Sequence, residues 1–265
     1  MRIINQLTSS DGAVKRVHEL SDGNTVESVV IPHKTKTNIC VSSQVGCRRG
    51  CVFCATGKRF VRNLTPDEIL GQIDVPVDSV VFMGMGEPLD NPDIIEAVER
   101  VKKEKGIPSR KIAVSTCGII DKMDLLLPTK VNISISLNAT DDNTRSRLMP
   151  INHKFNLTAL KEKMFELDSK IPGRRRLLIE YVLIKGVNDS LSDAERFSEL
   201  VPKKSLINLI PLNSISEDYE APDKPAVEAF KAELMKQGFA CFVREPRGKD
   251  VRAACGMLSS ASRME

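Results

Sequence analysis

The chain has 265 residues, 41% of them hydrophobic and 28% charged, a composition that excludes a disordered protein and suits one α/β barrel with a small appendage. No apolar run approaches the ~18 residues of a membrane span, and the N-terminus lacks the order of a signal peptide, so a cytoplasmic chain with no membrane partner is expected. The net charge of +4 is too small to announce a nucleic-acid partner by itself.

Two partly alternating apolar segments flank Ser21-Asp22-Gly23-Asn24 and predict a β-hairpin over residues 13–31. Residues 1–35 are read as this hairpin extension, and residues 36–265 as a catalytic barrel with a C-terminal tail. Strands are predicted at 38–42, 79–83, 111–115, 131–137, 177–184 and 206–211, with a short final strand at 239–244. Helical patterns lie near 65–72, 92–105, 119–126, 157–169, 192–200 and 223–237. Thr65-Pro66-Asp67-Glu68 and Asn91-Pro92-Asp93 place Pro and acids in first turns. Residues 213–225, rich in Pro and Ser, read as a long loop. Repeated βα units imply parallel strands with right-handed crossovers, and six such units predict a partial (β/α)6 barrel.

Seven cysteines are an odd number, and three of them fall in Cys47-Arg-Arg-Gly-Cys51-Val-Phe-Cys54, which suits a metal or redox site in a reducing compartment better than a disulfide framework. Soft thiolates select zinc or iron–sulfur clusters. A structural zinc is closed by four ligands, whereas three cysteines with no obvious fourth leave one iron of a cluster open for a substrate. Positive charge gathers at the same places. Arg48, Arg49, Lys58, Arg59 and Arg62 follow Cys47 with no acid among them, and Arg244, Arg247, Lys249 and Arg252 lead up to Cys255.

The triplet, with an aromatic before its last cysteine, looks like the radical S-adenosylmethionine (SAM) signature. It stands beside Cys40-Val-Ser-Ser-Gln-Val-Gly-Cys47, Phe53-Cys54-Ala-Thr-Gly57, Gly84-Met-Gly-Glu87-Pro, Ser115-Thr, Ser136-Leu-Asn138-Ala and Ala253-Ala-Cys255-Gly. Together, over about residues 25–258, these resemble the radical-SAM RNA adenine methyltransferases of the RlmN/Cfr family. The resemblance implies a [4Fe–4S] cluster on Cys47, Cys51 and Cys54, and SAM held by Gly86, Glu87, Ser115, Ser136, Leu137, Asn138 and Asn213. It implies that Cys255 carries the methyl group, that Cys40 is a second redox cysteine and that Glu27 accepts a proton. Asn138 stands where the family often has His, so its contact is expected to rest on backbone. Cys117 and Cys241 are left in the core.

The reaction so implied uses two SAM per turnover and joins a methyl-derived carbon to adenine in 23S rRNA or tRNA, at carbon 2 in preference to carbon 8. A transient Cys255–adenine bond is resolved by Cys40, leaving a Cys40–Cys255 disulfide. An electron donor such as flavodoxin or ferredoxin and a monomeric enzyme complete the expectation. The family's N-terminal accessory RNA-binding domain has no counterpart in this sequence, and protein cofactors or the basic rim are expected to compensate. Taken singly, each residue has a plainer reading. Gly86 and Glu87 suit a tight turn with a helix-capping acid, the polar strand-end residues suit turn formation, Cys255 suits a small buried hydrophobe and Glu27 a solvated strand carboxylate. A glycyl-radical-type activase acting on protein would have no need of Cys40 or Cys255, and a non-enzymatic iron–sulfur or zinc module would leave Glu87, Ser115, Asn213 and Cys255 without a joint purpose.

Overall fold

The computed structural model describes residues 1–173 and 175–259, apart from the side chain of Lys58. Ten strands form one continuous sheet. Four are antiparallel at its start: β1 (Arg2–Thr8), β2 (Val14–Glu19), β3 (Thr25–Pro32) and β4 (Thr37–Cys40). A short antiparallel ribbon of β5 (Gln44–Gly46) and β6 (Phe60–Asn63) stands apart. The sheet then continues in parallel from β4 through β7 (Ser79–Phe82), β8 (Ile112–Thr116), β9 (Asn132–Ser136), β10 (Leu178–Leu183), β11 (Leu206–Pro211) and β12 (Ala240–Val243). Among the described residues β12 pairs only with β11, so the barrel is open between its last strand and β4.

The helices are α1 (Pro66–Gly71), α2 (Ile94–Glu104), α3 (Asp142–Leu148), α4 (Leu157–Lys170), α5 (Leu191–Leu200) and α6 (Lys224–Lys236). Their starts are fixed locally. Thr65 and Glu68 form a capping box on α1, Ser190 and Asp193 another on α5, and Asp223 caps α6 ahead of Pro225. Covered strands such as β11 read as near-continuous apolar runs because both faces are buried. Ile135, Tyr181, Leu209 and Phe230 are among the core residues with no solvent exposure.

The structure bears out the parallel barrel and departs from the predicted elements in four places. A strand, β1, precedes the predicted hairpin and turns it into a three-stranded meander. Six of its seven residues are exposed, so no buried face imposed an alternating pattern. Residues 119–126 do not form an α-helix but a 3-10 turn, Ile120–Leu126. The polar segment Asp142–Leu148 is helical, with Asp141 as its N-cap. The ribbon β5–β6 was also unforeseen, and it closes the base of the cysteine loop through Cys47 N–H to Arg59 O at 2.8 Å. Gly46 is obligatory there, since its φ is +76° and a Cβ would lie 1.8 Å from Arg59 O.

Candidate active site

An open cavity of about 970 Å3, its mouth included, lies at the C-terminal ends of the parallel strands, the end where barrel enzymes place their chemistry. Cys47, Cys51 and Cys54 line it from the loop between β5 and β6. Burial pushes the Cys47 thiol up to about 12, and burial followed by the neighbouring Cys54 and Cys47 raises Cys51 as well. Thiols crowded in this way stay protonated until a metal's positive charge joins them, which then deprotonates them outright. The donor set therefore fits a cationic iron–sulfur group. It fits a single zinc poorly. A structural zinc is closed by four ligands, whereas a cluster takes three thiolates on separate irons.

Gly84 to Glu87 follow β7, and all but Met85 line the cavity. The turn is built from below: Ser42 Oγ accepts from Met85 N–H at 2.8 Å, and Gln44 Oε1 from Glu87 N–H at 2.9 Å. Gly86 has φ +104°, and a Cβ there would meet the Gln44 side chain at 2.6 Å. The buried Glu87 carboxylate accepts from Leu89 N–H at 3.1 Å and from Cys117 N–H at 2.7 Å. Burial raises its pKa. The expected helix-capping acid is therefore real. A carboxylate offers about four lone-pair sites, so Glu87 keeps accepting capacity for a cation in the cavity.

Ser115, Ser136, Asn138 and Asn213 reach the cavity from β8, β9 and the segment after β11, but Leu137 does not. Leu137 is fully buried, and its carbonyl accepts from Arg145 Nε at 3.0 Å. Asn138 adopts φ +57°, and its Oδ1 is taken by Val182 N–H at 2.8 Å. Its side chain ties the end of β9 to β10. Two contributors had no signal of their own. Arg145, fully buried on α3, donates to the carbonyls of Cys117 at 2.9 Å and Ser136 at 3.3 Å, joining two strand ends. Glu180 on β10 lines the cavity while bonded to Ser134 Oγ at 3.0 Å and Asn208 Nδ2 at 2.6 Å.

Cys255 lines this cavity and also a second one of about 1580 Å3, which Cys40 lines as well. Arg244 belongs to both cavities. Its guanidinium is held above its ordinary value first by the Cys255 sulfur, against its burial, and then by Glu180 and Cys40. Burial pushes the Cys40 thiol up to about 12, and Arg244 partly opposes this. All seven cysteines are free, so the expected Cys40–Cys255 disulfide is not formed in this structure. Cys117 is buried as expected, while Cys241 is only half-buried.

Glu27 is not brought to either cavity. It is buried on β3, 3.4 Å from Lys15 Nζ, and its Oε2 accepts from Ser259 N–H at 3.0 Å. It is not a solvated carboxylate. The basic patch after Cys47 divides in two. Arg49 pairs with Asp90, and Arg62 with Glu68 at 2.7 Å and Asp22 at 2.6 Å, while Arg48 and Arg59 are exposed with no carboxylate within ion-pair reach among the described residues. The Lys58 side chain lies outside what is described.

The family model of the radical SAM superfamily matches residues 41–198. A dual-specificity RNA methyltransferase RlmN of Geobacter sulfurreducens is 44% identical over 264 residues, covering 94% of this chain and 72% of the relative. One from Desulfosudis oleivorans is 40% identical, covering 98% and 74%. The crystal structure of a radical SAM methyltransferase from Sphaerobacter thermophilus superimposes with a TM-score of 0.92 at 33% identity, over 98% of this chain and 81% of that one. With the three cysteines, the Gly84–Glu87 turn and the polar strand ends gathered on one cavity, the chain belongs to the radical SAM superfamily and, within it, to the RlmN family of RNA methyltransferases.

Proposed function

We propose that the enzyme methylates carbon 2 of an adenine in 23S rRNA or tRNA, carrying the methyl group on Cys255 and freeing the product with Cys40. The observation that supports this reading most directly is the placing of these two thiols in one cavity that shares Cys54, Gly84, Asn213, Arg244 and Cys255 with the cavity of the cysteine triplet. Cys47, Cys51 and Cys54 would hold a [4Fe–4S] cluster, and Gly86, Glu87, Ser115, Ser136 and Asn213 would hold SAM. Bound there, the pair supplies the one-electron chemistry that an electron-poor ring carbon needs.

The chain's own residues then have separable tasks. Glu87 faces the cavity as an acceptor for an ammonium group, and Ser115 and Ser136 offer hydroxyls beside it. Asn213 fixes the Cys255 backbone through Nδ2 to O at 3.2 Å. Cys255 serves as nucleophile for a methyl group, and its sulfur would then stay bonded to the methyl-derived carbon that joins the base, until disulfide formation with Cys40 breaks that sulfur–carbon bond. Cys40 attacks Cys255 sulfur as a thiolate, and Arg244 is the cation beside it that opposes the cost of that charge. The reading requires two SAM per methyl delivered and an external electron donor.

Denaturing electrophoresis with labelled RNA tests the division of labour. Cys255→Ala yields neither methylated RNA nor a covalent adduct, with iron content retained. Cys40→Ala leaves RNA crosslinked to the protein. Normal turnover by Cys40→Ala without a crosslink overturns the proposal, and nucleoside mass spectrometry of the RNA distinguishes carbon 2 from carbon 8.

A further inference from the structure

The tail that carries Cys255 is held at two ends by parts of the chain that are remote in sequence. On one side it lies against the cysteine loop: Ala55 N–H donates to Gly256 O at 2.7 Å, and Thr56 Oγ1 to Leu258 O at 2.7 Å. Gly256 has φ +84°, and a Cβ there would come within 3.0 Å of Phe53 O. These contacts set how close the tail approaches the triplet. They do not set where it enters.

Entry is set by the N-terminal meander. In the turn between β1 and β2, Asp11 Oδ2 accepts from Gly248 N–H at 2.8 Å and lies 3.4 Å from Arg247 Nε. Ser9 Oγ donates to Asp250 Oδ1 at 2.5 Å, and Ser10 N–H to Asp250 Oδ2 at 3.0 Å. Gly248 packs so closely that an added Cβ would sit 3.3 Å from Ala13 and 2.7 Å from Ala253. Ala253 N–H in turn donates to Gly248 O at 2.8 Å, which closes the turn leading into Cys255. On β3, Glu27 receives Ser259 N–H and shares its buried carboxylate with Lys15. The Glu27 carbonyl accepts from Ser42 Oγ at 2.6 Å, and that same Oγ accepts from Met85 N–H. One strand therefore contacts both the tail and the Gly84–Glu87 turn.

We infer that Asp11 and Glu27 are positioning residues, through which the meander holds the two flanks of Cys255 and fixes its sulfur over the active-site cavity. Neither carboxylate lines that cavity, so each acts through the tail. The charge on Glu27 suits this task, because charge-assisted hydrogen bonds to backbone N–H groups are the stronger kind. The pairing of Glu27 with Lys15 keeps both charges tolerable in a buried place. The inference rests on Cys255 being the methyl carrier, and the experiment separates the two.

Hydrogen exchange is measured on the iron-loaded enzyme and on two variants. Asp11→Ala removes from the first clasp the carboxylate that holds Gly248 and Arg247. The double variant Lys15→Met/Glu27→Leu removes the second while replacing the ion pair with apolar groups of similar size, a change that folded proteins commonly tolerate. Exchange at residues 248–259 is expected to rise at least tenfold in each variant, with α2 protection and iron content unchanged. Methylated RNA formed per SAM cleaved is expected to fall at least tenfold, with the KM for SAM within twofold of the parent. Unchanged tail exchange in both variants overturns the inference. So does an Asp11→Ala enzyme of full coupling beside a Glu27 variant that accumulates a protein–RNA adduct with its tail still protected, because that pattern marks Glu27 as a proton acceptor. If the parent enzyme methylates no RNA, the functional proposal fails while the exchange result still decides the role of the clasp.

Discussion

Asn213 Nδ2 donates to the backbone carbonyl of Cys255 at 3.2 Å, so a residue just past β11 restrains the tail inside the cavity that both residues line. A single hydrogen bond of this kind contributes about 1 kcal/mol to stability, but a misplaced reacting atom can cost ~100-fold in rate. Asn213→Ala should therefore keep its melting temperature within a few degrees and its full iron content, yet lose at least tenfold in methyl transfer. Parallel calorimetry and product assays check this.

Cys51 is the middle thiol of the triplet and the one most surrounded by its neighbours. Anaerobic reconstitution should give a brown protein with about four irons that cleaves SAM when reduced, and Cys51→Ala should abolish both properties. A colourless, zinc-loaded protein with full activity would refute the cluster.

His18 is buried on β2, shares a hydrogen bond with Ser28 Oγ at 2.8 Å, and has its pKa lowered from 6.5 to about 4, chiefly by burial. Between those values the unfolded chain binds a proton that the folded chain refuses, so stability rises with pH in that window. The contribution is fully present above pH 6.5 and is lost as pH falls towards about 4, a span of up to about 3 kcal/mol. Thermal unfolding from pH 4 to 7 should show this slope, and His18→Gln should flatten it.

RNA phosphates are expected at Arg48 and Arg59, which are exposed and have no carboxylate partner among the described residues. Replacing both with Ala should reduce the salt slope of RNA affinity by about 1.4 to 1.8. Replacing Arg49, which pairs with Asp90, should leave that slope unchanged and lower stability instead. Fluorescence anisotropy across a salt series reads both variants.

Arg145 is fully buried and has no carboxylate within ion-pair distance among the described residues. Its donors satisfy the carbonyls of Cys117, Ser136 and Leu137. Arg145→Met leaves those carbonyls in need of partners, at ~1 to 3 kcal/mol for each buried group left unsatisfied. A melting temperature lowered by at least 5 degrees, with SAM affinity reduced alongside, is the expected result in differential scanning and titration calorimetry.

What the sequence determined by itself was whatever depends on neighbouring residues. The seven parallel strands, the capped start of α1 and the cysteine triplet all follow from short-range periodicity, helix capping or spacing. So does the placing of Ser115, Ser136 and Asn213 at the C-terminal ends of strands, because a strand followed by a helix fixes that end. Tertiary structure decided the rest. Exposed β1 buries no face, so its residues carry no alternation, and only pairing with β2 makes it a strand. Leu137 and Asn138 are adjacent, yet the strand turns one into the core and the other to the cavity. Arg49 and Arg62 look like their neighbours Arg48 and Arg59 until Asp90, Glu68 and Asp22 fold against them. Glu27 and Cys255 illustrate the same division. Their residue types mark them as chemically able, but only chain closure, which brings the first three strands to the last fifteen described residues, decides that one clasps the tail the other rides on.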